Sequence, residues 1–174
     1  MTLNIAGRVE ESIVDGPGIR YVIFVQGCIH NCPGCHNKFT HRIGAGTTVS
    51  IQKLFEHIKK QPLIDGVTFS GGEPFLQAKP LAELARLINS IGLSIITYTG
   101  FTFEELIAQA TEENGYLDLL SQTNILVDGK FIQELKYPRK PFVGSRNQRW
   151  LLCQESLKQC KAVEGDVYGT DSDK

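Results

Sequence analysis

The sequence lacks any apolar run long enough to span a bilayer, and its first residues lack the basic and apolar segments of a secretory signal. It also lacks a strong excess of either charge, because the formal net charge is -1 and 21% of the residues are charged. This balance points to neither nucleic acid nor a membrane as a partner. Internal repeats and low-complexity linkers are absent too. We therefore expect a globular protein located in the cytoplasm.

The chain has 174 residues, of which 41% are hydrophobic, and that length fits a single domain over 1-174. We expect its core to span about residues 8-150, and a loose tail at 165-174. Five cysteines are present, an odd number that fits metal ligands or free thiols better than a set of disulfides in a reducing compartment.

Short apolar runs alternate with amphipathic segments along the chain, a pattern that predicts an α/β fold with a parallel sheet and crossover helices. The predicted strands are residues 21-25, 66-69, 93-98, 124-127 and 149-152, and the predicted helices begin near residues 50, 80, 102 and 116. Two unusual loops follow directly after predicted strands. Parallel sheets usually carry their sites at the carboxyl ends of strands, and both loops have this position.

The first loop holds Cys28, Cys32 and Cys35, spaced three and then two residues apart. Three thiolates can hold three irons of a [4Fe-4S] cluster and leave the fourth iron open to a ligand. A structural zinc site is the other interpretation, with His30, His36 or Cys153 as a fourth ligand, although zinc sites usually pair their ligands as two separated couples.

The second loop, residues 70-74, reads Ser-Gly-Gly-Glu-Pro after a predicted strand. Two adjacent glycines let the backbone approach a ligand closely. Taken alone, the segment also fits a tight strand-to-helix turn with Glu73 as an exposed charge.

Together, the two loops resemble the radical SAM family, and three further features resemble its glycyl-radical activating enzymes. These features are the Val-Asp-Gly-Pro-Gly-Ile-Arg stretch at residues 14-20, the Gly-Cys pair at 27-28 and the Cys-His-Asn stretch at 35-37. Segments 98-101, 126-131 and 144-148 are most similar to the members that act on anaerobic ribonucleoside-triphosphate reductase. The likeness covers about residues 8-150, and the segment after about Cys153 matches nothing familiar.

This resemblance implies a partial, open (β/α) barrel of parallel strands of the radical SAM type. It implies a [4Fe-4S] cluster on Cys28, Cys32 and Cys35, and S-adenosyl-L-methionine bound beside it. It also implies that the reduced cluster cleaves this cofactor and that a glycyl radical is formed on the reductase. The cofactor-binding residues that it implies are Gly34, Cys35 and His36 beside the cluster, and Gly71, Gly72 and Glu73 at the methionine end.

The resemblance further implies two protein partners, the reductase and a reduced flavodoxin- or ferredoxin-type electron donor. The chemistry requires no acid, base or nucleophile, since the hydrogen is removed by a radical. Asp128 and Lys130 are second-rank site candidates that could equally belong to a solvated turn, and the polar loop of Ser145, Asn147 and Gln148 is a candidate partner contact. Two alternatives remain: an activase for another glycyl-radical enzyme such as pyruvate formate-lyase, and a non-catalytic zinc-binding interaction module.

Overall fold

A single seven-stranded sheet organises the chain, in the order β3-β1-β2-β4-β5-β6-β7. A computed structural model describes residues 1-167, so most of the predicted loose tail lies outside the described residues. The strands are β1 Thr2–Ser12, β2 Arg20–Val25, β3 Thr47–Ser50, β4 Gly66–Gly71, β5 Ser94–Tyr98, β6 Ile125–Asp128 and β7 Arg149–Leu152. The α-helices are α1 Ile51–Ile58, α2 Ala78–Ser90, α3 Phe103–Gln109, α4 Tyr116–Gln122 and α5 Cys153–Gln159.

The middle of the sheet is parallel, because β2, β4, β5 and β6 all run in one direction. Both ends are antiparallel: β1 pairs with β2 and β3, and β7 pairs with β6. The predicted α/β fold with an open sheet is therefore confirmed, and the described strands do not close into a barrel. Chain reversals add antiparallel strands at both edges of this parallel centre.

Amphipathic segments formed helices where their apolar stripes predicted them. In α1, Ile51, Leu54, Phe55 and Ile58 are buried, and the hydroxyl of Ser50 accepts a hydrogen bond from the third helical amide. The predicted capping box at Thr102 and Glu105 starts α3. Helix α2 begins at Ala78 instead of at Pro80, because a 3-10 helix at Pro74–Gln77 leads directly into it.

The helices pack on one face of the sheet and bury a large apolar core there. Alternate strand residues point to opposite faces, so Val67 and Phe69 of β4 join this core while Ser70 faces the other side. A smaller cluster of Ile96, Val127, Val143 and Trp150 lies apart from the main core. Within residues 1-167, no helix is both long and apolar enough to cross a membrane.

All four parallel strands end at the same edge of the sheet. Loops carrying Cys28, Gly72, Gly100 and Gly129 follow β2, β4, β5 and β6 at this edge. This shared edge brings together segments that are far apart in sequence.

Candidate functional site

The cysteine loop is held closely against the segment that follows it. Backbone amides of Gly27 and Cys28 donate to the carbonyls of Thr40 and His41, at 2.7 and 3.0 Å. The buried Gln26 side chain adds bonds from Nε2 to the carbonyls of Thr40 and Arg42, at 3.1 and 2.7 Å. These four hydrogen bonds fix the base of the loop.

Cys28, Cys32 and Cys35 line one cavity of about 130 Å³. All three thiols are free and half-buried. The amide of Cys35 donates to the carbonyl of Cys32 at 3.1 Å, and the amide of Asn37 lies 3.4 Å from Sγ of Cys35. The predicted thiol ligands are thus brought together around a single space.

The surroundings of Cys28 and Cys32 change the pKa values of their thiols. Burial raises the pKa of Cys28, against hydrogen bonds from the backbone amides of His30 and Asn31. Burial also raises the pKa of Cys32, against a hydrogen bond from the backbone of Phe131. Amide hydrogen bonds to sulfur also tune the reduction potential of a bound iron–sulfur cluster.

The glycine-rich loop is hydrogen-bonded directly to the start of the cysteine loop. The amide of Gly72 donates to the carbonyl of Val25 at 2.9 Å, and the amide of Glu73 donates to the carbonyl of Gly27 at 2.8 Å. Gly71 has a φ of +94°, and a Cβ there would lie 2.7 Å from the Cα of Phe24. Only glycine fits this close approach, and Gly71 and Gly72 both line the cavity.

Glu73 lies behind the cavity wall and is fully buried. Its Oε1 accepts from the amide of Phe75 and the hydroxyl of Thr99, both at 2.9 Å. Its Oε2 accepts from Nε2 of His30 at 2.7 Å and from the amide of Gly100 at 2.9 Å. Four donors occupy the carboxylate, so the exposed-charge interpretation of Glu73 is wrong. The predicted contact between Glu73 and a cofactor stays a prediction.

His30 and Gly100 form a contact that the motifs did not predict. A Cβ on Gly100 would overlap the imidazole of His30, and this ring packs edge-on against Phe101 at 4.6 Å between ring centroids. Both residues line the cavity, together with Thr99. The available signal was the Thr-Gly pair immediately after β5, in the position where the other site loops follow their strands.

A second cavity of about 380 Å³ adjoins the first, and Cys35, Ser70, Tyr98 and Phe131 are among the residues that line both. His36 lines the second cavity, with its ring 5.5 Å from that of Phe131. Burial raises the pKa of the Tyr98 phenol, which donates to the carbonyl of Phe142 at 2.7 Å. We call these two adjoining cavities together the trough.

Gly34 faces the loop that follows β6. It has a φ of +74°, and a Cβ there would lie 2.8 Å from Oε1 of Gln133. Glycine at this position lets the cysteine loop and the segment after β6 approach each other closely.

The turn at residues 14-20 lies beside the trough. Val14 and Asp15 line the second cavity. The guanidinium of Arg20 is buried and donates to Thr68 and Ser94 side chains, and its pKa is lowered to about 10 by burial. Arg20 therefore links β2 to β4 and β5. The stretch before it contributes to the wall of the second cavity.

Asp128 is fully buried and does not line either cavity. Its carboxylate accepts from Nε of Arg149 at 2.9 Å and from the amide of Phe103 at 2.7 Å. Arg149 also pairs with Glu104. Asp128 thus ties β7 to the start of α3, and Lys130 offers its carbonyl to Asn147 at 2.7 Å.

The polar loop that contains Ser145, Asn147 and Gln148 organises its surroundings. Oε1 of Gln148 accepts from the amides of Gly144 and Ser145 at 2.8 and 3.1 Å, while its Nε2 donates to Gly129 at 3.0 Å. Gln148 lines both cavities. Contact of this loop with a protein partner stays a prediction.

Cys153 and Cys160 lie outside the site. Cys153 is buried in the main core, where burial raises its pKa to about 12. Cys160 is exposed at the end of α5. Another surface depression, of about 330 Å³, lies between α2 and α4 and contains no cysteine.

The donor set fits an iron–sulfur cluster better than a single metal ion. Within residues 1-167, no three side chains of the His, Cys, Asp and Glu types converge on one ion position. Structural zinc needs four ligands around one ion, whereas a cluster takes one thiolate on each of several irons. Three thiols that line one cavity are the donor set of the second kind of site.

Comparison with known proteins agrees with this chemistry. Residues 14–151 match a family model described as a 4Fe-4S single cluster domain. A 45% identity over 99 residues is found with the pyruvate formate-lyase-activating enzyme of Listeria monocytogenes serovar 1/2a, covering 52% of this chain and 40% of that enzyme. The solved structure of QueE from Escherichia coli has a TM-score of 0.49 at 19% identity, covers 74% of this chain and 70% of its own, and at that level bears on neither fold nor function.

Two relatives are matched over most of their own length. The anaerobic ribonucleoside-triphosphate reductase-activating protein of Escherichia coli K12 is 38% identical over 149 residues, covering 78% of this chain and 90% of that protein. The protein of the same name from Enterobacteria phage T4 is 33% identical over 144 residues, covering 78% and 85%. This chain therefore belongs to the family of anaerobic ribonucleoside-triphosphate reductase-activating proteins.

Proposed function

We propose that this protein activates an anaerobic ribonucleoside-triphosphate reductase by forming a glycyl radical on it, using a [4Fe-4S] cluster and S-adenosyl-L-methionine. One observation carries the proposal: three free thiols share a cavity at the carboxyl edge of a parallel sheet, against a glycine-rich loop. Membership of the activating-protein family supports the same function.

In this proposal, Cys28, Cys32 and Cys35 hold three irons and leave the fourth iron open. When bound, the cluster and S-adenosyl-L-methionine supply the one-electron chemistry that generates the radical. The residues around the thiols keep the loop in place and its ligands turned into the cavity. Hydrogen bonds to the carbonyls of Thr40, His41 and Arg42 hold the base of the loop.

Gly71 and Gly72 would bind the methionine end of the cofactor, since their backbone is bare towards the cavity that the thiols line. Gly34, Cys35 and His36 would lie beside the cluster. Glu73 would act by positioning, because its carboxylate joins the cysteine loop to the loop after β5 through His30 and Gly100. The trough would admit the glycine-bearing segment of the reductase and exclude bulk water from the radical.

The partners proposed are the reductase and a reduced flavodoxin- or ferredoxin-type electron donor, with neither nucleic acid nor a membrane. A cytoplasmic location is part of the proposal, since thiol ligands are kept reduced there. Hydrogen abstraction by a radical needs no base or nucleophile. In this proposal, the polar interactions at the site therefore hold its residues in position.

A second candidate is an activase for pyruvate formate-lyase or another glycyl-radical enzyme. The 45% identity to one such activase favours it, but that match covers only 52% of this chain. Presenting the reconstituted protein with the reductase and with pyruvate formate-lyase separately distinguishes the two, because a glycyl-radical signal is expected on the reductase alone.

The test of the reaction is anaerobic reconstitution with iron and sulfide, followed by incubation with S-adenosyl-L-methionine and dithionite. Methionine and 5'-deoxyadenosine are the expected products, measured by liquid chromatography. A colourless protein that binds zinc tightly and produces neither compound would restore the zinc-module alternative.

A further inference from the structure

Charge is distributed unevenly along the chain, and the cysteine loop lies in its basic part. The chain has 19 acidic residues, yet none falls within residues 16-55. This stretch contains Arg20, Lys38, Arg42 and Lys53, of which Arg20 is buried. The net charge of -1 therefore conceals a sequence segment of positive sign that includes the three cysteines.

Lys38 and Arg42 are the basic residues nearest the thiols in sequence, and both are exposed. Among residues 1-167, neither side chain is within ion-pair distance of a carboxylate. Other basic residues, such as Arg149 and Lys158, do have carboxylate partners. The two free cations are therefore available to a partner with acidic groups.

Large apolar side chains accompany these cations. Ile29, Phe39 and Ile43 are 55%, 65% and 68% exposed. Ile43 packs against Gly27, and the ring of Phe39 lies 6.5 Å from that of Phe24 between centroids. We name Ile29, Lys38, Phe39, Arg42 and Ile43 the cluster-loop patch. Exposed apolar side chains that are interspersed with unpaired cations along one segment have the composition of a docking surface for a protein of opposite charge.

The cluster-loop patch is adjacent to the thiols but outside the trough. Ile29 directly follows Cys28 in the sequence. The amide of Cys28 donates to the carbonyl of His41, and His41 lies between Lys38 and Ile43 in the sequence. None of the patch residues lines either cavity. A protein on this patch would lie close to a bound cluster while leaving the trough open to the glycine-bearing segment.

We propose that the cluster-loop patch docks a small, acidic one-electron carrier protein. The inference rests on the proposed function, which requires one electron per cleavage: the carrier is oxidised by one electron and the cluster is reduced by one. The reductase is the less suitable occupant, because its glycine must reach the trough. Charge complementarity on a local patch steers such encounters even when the overall net charge is small.

The experiment compares wild-type protein with the double variant Lys38→Glu/Arg42→Glu, using a reduced flavodoxin of net negative charge as the probe. The matched control is Lys60→Glu/Lys161→Glu, which makes the same change in net charge at two exposed lysines outside the patch. Binding is measured by titrating isotopically labelled flavodoxin, and cluster reduction is measured by stopped flow. Each is repeated at low and high salt.

The patch variant should bind flavodoxin about tenfold more weakly or worse, and should lose the salt dependence seen in the wild type. The control variant should bind like the wild type. Phe39→Ser should also weaken binding, with the salt dependence retained. Equal affinities and reduction rates in wild-type and patch variants would overturn the proposal.

Dithionite separates the failure of this proposal from failure of the proposed function. With dithionite in place of flavodoxin, the patch variant should form as much glycyl radical as the wild type. If radical formation with dithionite drops while the cluster spectrum is unchanged, the patch belongs to the reductase and the carrier proposal is wrong. If no variant forms a radical with dithionite, the proposed function itself fails.

Discussion

Nε2 of His30 lies 2.7 Å from Oε2 of Glu73, and this hydrogen bond joins the cysteine loop to the glycine-rich loop across 43 positions of sequence. Both side chains are buried, with 6% and 0% of their areas exposed. Oε2 also accepts from the amide of Gly100. Glu73 thus connects the loops after β2, β4 and β5, which makes it a structural centre of the site.

Replacing Glu73 by alanine should lower the free energy of unfolding, because it leaves buried donors on His30, Thr99 and Gly100 without an acceptor. Leaving a buried hydrogen-bond donor without an acceptor typically costs about 1–3 kcal/mol. The measurement is the free energy of unfolding from denaturant titration of the metal-free protein. Glu73→Gln retains one acceptor oxygen and should lose less stability.

The contrasting outcome for Glu73 is equally clear. If Glu73→Ala leaves the free energy of unfolding unchanged and weakens only the binding of S-adenosyl-L-methionine by calorimetry, then the residue acts as a cofactor ligand and not by positioning.

Replacing Cys32 by alanine should abolish retention of the cluster, because only two thiols would remain in the cavity. Iron and sulfide content after anaerobic reconstitution, together with the visible spectrum, measures this loss. Cys160→Ala is the matched control, since that thiol is exposed outside the site and should leave the iron content unchanged. If the Cys32 variant cleaved S-adenosyl-L-methionine as fast as the wild type, the assignment of Cys32 as a cluster ligand would be wrong.

Gly71→Ala should cost more stability than Gly92→Ala, although both glycines have positive φ, +94° and +82°. Alanine in that backbone region costs about 1 kcal/mol from strain alone. At Gly92 nothing lies within 4 Å of the added Cβ, whereas at Gly71 the backbone of Phe24 lies 2.7 Å away. Thermal unfolding of the two variants measures the difference, and equal losses would show that the close approach at Gly71 has no energetic consequence.

The Arg149 network should make stability depend on acid pH. The hydrogen bond with Arg149 holds the pKa of the Glu104 carboxyl below its usual range. A depressed folded-state pKa contributes stability above the unfolded-state pKa, and this contribution is lost as the pH falls through the folded-state value. Glu104→Gln should therefore cost under about 1 kcal/mol near neutral pH, and the difference from wild type should vanish in acid.

Arg149→Gln should be more damaging than Glu104→Gln, since it leaves the buried carboxylate of Asp128 without its cation. A loss of about 3 kcal/mol is expected. Denaturant titration of both variants at neutral pH gives the comparison, and similar losses would mean that Asp128 is accommodated by the amide of Phe103 alone.

Local sequence patterns predicted the central elements of the fold. The apolar stripe of α1 and the capping box of α3 are signals within a few residues, and both gave the observed helices. Strand β1 was not predicted, because its register is interrupted between Ile5 and Gly7 and again between Val9 and Ser12. Strand β3 was not predicted either, because it is short and only partly buried at the sheet edge. Helix α5 was also not predicted.

The site divides in a similar way. The spacing of the cysteines and the strands before both loops identified segments that line one cavity in the structure. The role of Glu73 could not be read from its own segment, since its partners His30 and Gly100 come from two other loops. Asp128 was placed at the end of a strand correctly, but its burial with Arg149 depends on β7 folding back antiparallel.

The most direct measurement is the electron paramagnetic resonance spectrum of an anaerobic ribonucleoside-triphosphate reductase incubated with this protein. The mixture contains reconstituted protein, S-adenosyl-L-methionine and dithionite. The account predicts a glycyl-radical doublet on the reductase that disappears when any of Cys28, Cys32 or Cys35 is replaced by alanine. Cleavage of S-adenosyl-L-methionine without that doublet, with a reductase known to be competent, would contradict the central claim.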